Sequence, residues 1–279
     1  MSDDRPKTPH SVQGREGLCD DFSIDPKERD PLRTAAQSAR PQQPKRFYEK
    51  VATAPAEGGF AVLLDGKSVR TPARNALIAP TVALGEALAD EWSRQGERID
   101  PRAMPLTRLF NSAIDGVASR FAEVEADTVK YAGSDLVCYR ASEPQSLVRE
   151  QREKWDPLVI FAQERLGARL LLADGVNFTP QPPEAIAAIA GAVRDYVGEG
   201  PGAHLRLAAL HSMTTLTGSC VIALAVALGR IDADAGFAAA NVDEDYQLAA
   251  WGEDPEALSQ RERRLGEMRA AALLARAFG

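Results

Sequence analysis

Cysteine and histidine are scarce in this chain, three of each in 279 residues. Cys19, Cys138 and Cys220 lie far apart with no C-x-x-C pair, which excludes a disulfide framework and fits reduced thiols. Cys220 adjoins an apolar run and reads as a small buried hydrophobe, not a nucleophile. His10, His204 and His211 are too few for a His-rich metal site. His204 and His211 share a helix face seven residues apart, but no Glu or Cys follows at i+4, so no metal is expected. The glycines form neither G-x-x-x-x-G-K-[ST] nor a strand-to-helix G-x-G-x-x-G, and no nucleotide or other cofactor is expected. Ser212 and Ser219 lack the G-x-S-x-G elbow of a triad hydrolase. Long apolar runs are missing too. The most apolar stretch, Ser219 to Gly229, is shorter than the roughly 20 residues that span a bilayer, so a buried core helix is expected and no membrane insertion. Met1 to Pro9 is polar and charged, unlike a signal peptide. Positive charge is in deficit, with a net charge of −7, which argues against nucleic acid as a partner.

What is present is ordinary globular material, 44% hydrophobic and 26% charged. Residues 1–44 hold prolines, mixed charges, Gln and Ser with few large apolar residues, and read as a disordered tail. From 46 to 80 the apolar period is two. Arg46 to Val51 is one strand candidate. Gly59 to Leu64 and Lys67 to Thr71 flank Asp65-Gly66, the dipeptide of a type I′ hairpin turn. Pro72 ends that strand, and Ala76 to Ala79 makes a fourth, stopped by Pro80. Thr81 then caps a helix over Val82 to Gln95. Helical periodicity continues over Pro105–Gly116, Ser119–Ala132, Ser146–Gly167, Pro183–Val197, Pro201–Met213, Thr217–Leu228, Asp232–Trp251 and Pro255–Phe278. Leu136 to Tyr139 is a short strand or a buried turn, and Leu170 to Leu172 a brief strand or extended link. The class is therefore α+β: a small antiparallel β-rich domain over 45–100 with a closing helix, then a larger all-helical domain over 101–279.

One segment resists a purely structural reading. Asp243-Glu244-Asp245-Tyr246-Gln247 precedes Trp251-Gly252-Glu253-Asp254 on one predicted helix. At 100° per residue three consecutive acids fan over more than half the circumference. Glu244, Leu248 and Trp251 fall on one stripe at i, i+4 and i+7. A carboxylate on an apolar, Trp-bearing stripe is either paired or covered by something else. Two readings stand level on sequence. Asn241-x-x-Glu244 matches a capping box, in which both side chains close a helix start. Alternatively the stripe is a docking surface.

Several blocks, taken in order, resemble one family. They include Phe60-x-Val-x-Leu-Asp-Gly-Lys-x-Val-Arg-Thr-Pro72, Glu91-Trp92-x-x-Gln95, Ile99-x-Pro-x-x-Met-Pro-Leu-Thr107 and Ala113-Ile114-Asp115. Further on come Tyr131-x-x-x-Asp-Leu-x-Cys-Tyr-Arg140, Gln151-x-x-x-Trp-Asp-Pro157, Thr217-Gly-Ser219 and Asp243-Glu-x-Tyr-Gln-x-x-x-Trp-Gly252. Together they are similar to the assembly chaperone of the F1 portion of ATP synthase that binds the free α subunit. The resemblance runs from about residue 46 to the end. It implies a non-enzymatic chaperone that shields the β-facing surface of the α subunit. It points to Glu244 first, then Asp243, Asp245 and Trp251, as partner-binding residues, and to the bacterial cytoplasm, or the mitochondrial matrix in a eukaryote. A rival reading is a small-molecule enzyme with a site at the β/helical junction, drawing on Arg70, Asp115, Asp135 and His211. A third is a scaffold subunit that stays in the finished complex.

Overall fold

The computed structural model describes residues 43–175, 178–251 and 255–278. The expected tail, apart from Gln43 and Pro44, lies outside the described residues. From Pro44 onward the chain folds as one unit, and the class is α+β as expected. The expected boundary near residue 100 falls in the loop that leads from the first helix to the second.

Four strands form the N-terminal sheet: β1 (Val51–Ala56), β2 (Gly59–Leu64), β3 (Lys67–Ser68) and β4 (Ile78–Ala79). β2 is central and pairs antiparallel with the other three. The Asp65-Gly66 turn forms as its chemistry demands, with φ of 47° and 80°, and sets Leu64 opposite Lys67. The first strand departs from expectation: it spans Val51–Ala56, not Arg46–Val51. The Asp65 carboxylate accepts from the backbone N–H groups of Glu49 and Lys50 at 2.8–3.2 Å. Those amides are thereby withdrawn from any ladder, while Arg46 N–H bonds the Glu97 carbonyl at 2.9 Å. Pro55, a poor omen for a strand, is tolerated because β1 is an edge.

α1 (Val82–Ser93) packs over this sheet, started by Thr81, whose hydroxyl accepts from Leu84 N–H. Gly85 lets it approach closely, since a Cβ there would lie 2.9 Å from the Thr53 methyl. α2 (Pro105–Ser112) runs into a π-helical turn at Ala113–Val117. α3 (Phe121–Lys130) follows, and a 3-10 turn at Leu136–Cys138 leads into β5 (Tyr139–Arg140). Asp135 dictates that turn by accepting from Val137 N–H. α4 (Gln145–Arg165) carries Pro157 inside it. The Leu170–Leu172 stretch is not a strand; the pairing moves on to β6 (Ala173–Asp174), parallel to β5.

The remaining helices are α5 (Pro183–Val197), α6 (Ala203–Thr217), α7 (Cys220–Ala227), α8 (Ala233–Ala240), α9 (Val242–Trp251) and α10 (Pro255–Arg276). Every residue of α7 is buried, which explains a helix apolar on all sides. No described helix is long and apolar enough to cross a membrane. A single apolar core runs from Tyr48 and Leu64 beside the sheet to Leu274 in α10. The expected helix over Asp232–Trp251 is in fact two. Asn241 breaks it at φ −112°, ψ 22°. Its side-chain amide donates to the Phe237 carbonyl at 2.7 Å, a local bond of the kind that makes Asn compete with the helix ladder.

Candidate partner-binding surface

The acidic segment falls in the first turn of α9, and each acid meets a different partner. Asp243 accepts from the side-chain amide of Gln151 in α4 at 2.8 Å. Gln151 is itself buried, and its carbonyl oxygen accepts from Ala141 N–H at 2.8 Å. Asp245 pairs with Arg261 of α10 at 2.6 Å. Glu244 reaches Arg264 of α10 only at 3.6 Å, and 59% of its side chain stays exposed. One helical turn thus contains a tie to α4, a tight pair to α10 and a loose, solvated pair.

The capping box does not form. The side-chain oxygen of Asn241 is buried and accepts no hydrogen bond, while Glu244 turns outward to Arg264. Asp245 N–H bonds the Asn241 backbone carbonyl at 2.8 Å instead. Trp251 closes α9, and its side chain lies outside the described residues, as do Gly252, Glu253 and Asp254.

Between α9 and the first half of α10 runs an open groove of about 770 Å³, lined by Leu248, Ala257 and Leu258 with Glu244, Gln247, Gln260, Arg261 and Arg264. The floor is apolar and the walls carry amides and paired charges. Arg261 and Arg264 also lie over the Phe237 ring, 5.4 and 5.8 Å from its centre. Arg264 donates from Nη2 to the Leu216 carbonyl at 3.1 Å, which anchors one side of its guanidinium. The arginines, Gln260 and Leu258 escaped the sequence reading. The signal was available as the helical spacing of Leu258, Arg261 and Arg264, but nothing local says that this face meets α9.

The residues of the rival reading have separate tasks. Asp115, in the π-helical turn, accepts from Thr71 Oγ1 at 2.6 Å, Asn75 Nδ2 at 2.8 Å and Ala73 N–H at 3.0 Å. These bonds, that of Thr71 foremost, hold its carboxyl below the usual range. Arg70 donates to the Arg74 carbonyl. Asp135 is fully buried and accepts from Val137 and Val221 N–H. Burial pushes its pKa up to about 6 despite those donors and the Ser219 hydroxyl. His211 shares a 3.1 Å contact with Thr128, and desolvation lowers its pKa, against the pull of Asp127. Cys138 and Cys220 are buried free thiols. Burial raises both, Cys138 to about 12, which leaves little thiolate at neutral pH. No metal-binding cluster occurs among the described residues.

Most of the sequence blocks turn out to be halves of such ties. Thr71 meets Asp115. Glu91 accepts from Leu106 N–H and from both the N–H and hydroxyl of Thr107, each at 2.7 Å. Arg140 pairs with Asp156 at 2.7 Å. Glu244 is the acid of the segment that the fold uses least.

An apolar groove walled by two helices and edged with charges, set on an α+β body, is built like a surface on which proteins meet proteins. Comparison with known proteins gives that class a family. The profile of the ATP12 chaperone protein matches residues 45–163. The crystal structure of Atp12 from Paracoccus denitrificans superposes with a TM-score of 0.73 at 43% identity, over 83% of this chain and 97% of that one. A candidate chaperone from Agrobacterium tumefaciens reaches 0.78 at 45% identity, over 91% and 93%. The mitochondrial protein atp12 of Schizosaccharomyces pombe is 24% identical over 237 residues, 78% of each chain. This chain belongs to the ATP12 chaperone family, the ATP synthase assembly chaperones that its sequence blocks resemble.

Proposed function

We propose that this protein captures the unassembled α subunit of F1 and shields the surface that the β subunit later covers. It has no catalytic role in this reading, and it works where F1 is built: the bacterial cytoplasm, or the mitochondrial matrix in a eukaryote. Such a subunit surface is apolar at its centre and a hazard when exposed. A chaperone for it needs an apolar floor with charges that set register. The observation that carries the proposal is the α9/α10 groove, with Leu248 and Leu258 on its floor and the half-exposed Glu244 at its wall.

The test is co-purification of the full chain with separately expressed α and β subunits. Capture of α and not of β is the expected result, together with loss of α from the complex when β is added. Capture of β alone would overturn the proposal. Stoichiometric recovery of the chain in finished ATP synthase would replace a transient chaperone by a resident scaffold.

A further inference from the structure

The groove between α9 and α10 also limits what can enter it. Its walls are two helices, whose backbone groups are bonded within each helix. Beyond the first turn of α10 they offer an occupant only side chains: Leu248 and Gln247 on one side, Gln260, Arg261 and Arg264 on the other. An extended segment laid there would bury its own N–H and C=O groups without partners, which is costly. A helical segment satisfies its backbone internally and needs only an apolar stripe. Charge then sets the orientation. Asp245 and Arg261 hold each other at 2.6 Å and are committed to closing the α9–α10 corner. Glu244 and Arg264 are 3.6 Å apart with 59% and 40% of their side chains exposed. An exposed pair at that distance contributes little to the fold, so exchanging it for partner charges sacrifices little. Arg264 keeps its bond to the Leu216 carbonyl in the exchange.

We infer that the groove takes an amphipathic helix of the captured subunit. Its apolar stripe lies between Leu248 and Leu258, a basic residue faces Glu244 and an acidic residue faces Arg264. The Glu244–Arg264 pair is the resting closure of the groove and is replaced on docking. This rests on the proposed function and adds the conformation and charge order of the segment that is captured.

The experiment uses the full chain and purified F1 α subunit, with thermal melting of each variant as the control for folding. Glu244→Lys and Arg264→Glu are each expected to weaken capture by roughly tenfold or more, through like charges facing the docked helix. The double reversal restores the internal pair but presents the wrong charge order, so capture stays weak. Recovery of wild-type capture by the double reversal would reduce the pair to an internal strut and overturn the inference. If a reversal fails to fold, Glu244→Gln and Arg264→Gln carry the same expectation of weaker capture. A photo-crosslinking residue in place of Gln247 should mark α-subunit positions spaced three and four apart. Marks on alternate residues indicate an extended segment and overturn the inference with capture itself intact. Failure of the unaltered chain to bind α defeats the proposed function first, and this inference with it.

Discussion

Asp243, Glu244 and Asp245 are adjacent and chemically alike, yet their consequences differ. Asp243 satisfies the amide of the buried Gln151. Asp243→Ala leaves that donor unpaired and should lower stability by about 1–3 kcal/mol in denaturant unfolding. Glu244 is solvated, and its reversal should leave the melting midpoint nearly unchanged. Asp135 carries the pH dependence at this scale. Its carboxyl is raised in the folded state from 3.8 to about 6 by burial. The native protein therefore binds more protons than the unfolded chain between those values. The stability this group contributes is fully present below pH 4 and is lost as pH rises through 6. The shift corresponds to at most about 3 kcal/mol. Denaturant midpoints for the wild type and Asp135→Asn across pH 4 to 7 check it: the variant should lack this share of the decline. A parallel decline in both would place the titration on another group.

Elements divide into those set by local chemistry and those set by neighbours. The Asp65-Gly66 hairpin, the Thr81 cap and α5 lie where turn residues, cap residues and periodicity placed them. β1 does not, because its pairing depends on β2, and the Asp65 carboxylate removes the preceding amides from the competition. The division at Asn241 was open to view as an Asn within a helix-prone stretch, but only tertiary structure brings α4 to both sides of it, where Trp155 donates to the Ala239 carbonyl and Gln151 to the Asp243 carboxylate. Gly59 shows how tightly a neighbour can constrain an element. At φ 150° a Cβ there would lie 2.1 Å from the Ala79 carbonyl oxygen. Gly59→Ala should force β2 and β4 apart and cost about 1–3 kcal/mol, read as a lower denaturant midpoint with faster amide exchange at Phe60, whose N–H faces Ala79 of β4. Unchanged exchange there would show that the β2–β4 pairing absorbs the methyl.

For the whole molecule the issue is how a small sheet is held to a helical body. Carboxylates that each gather several donors do much of the fastening. Glu91 of α1 takes three donors at the start of α2, and burial raises its pKa against those bonds. Asp115 draws the loop after β3 onto the π-helical turn. Glu91→Ala orphans two backbone donors and one hydroxyl, and should destabilise the protein by about 1–3 kcal/mol. A second, earlier unfolding transition would mean that the sheet layer melts separately. Capture measured below that transition should survive, because neither Glu91 nor its donors Leu106 and Thr107 line the α9/α10 groove.

By itself the order of residues settled what depends on near neighbours: the α+β class, the hairpin, most helix starts, the buried α7, and the suspicion attached to Asp243–Asp245. Those outcomes follow from φ/ψ preference and apolar period, which act over a few residues. It could not say which acid would be left free. That choice depends on Gln151 arriving from α4 and on Arg261 and Arg264 arriving from α10, groups whose approach is set by packing. The groove likewise exists only because two helices of modest apolar content come side by side. Glu244 keeps its exposure because its own fold makes the least use of it.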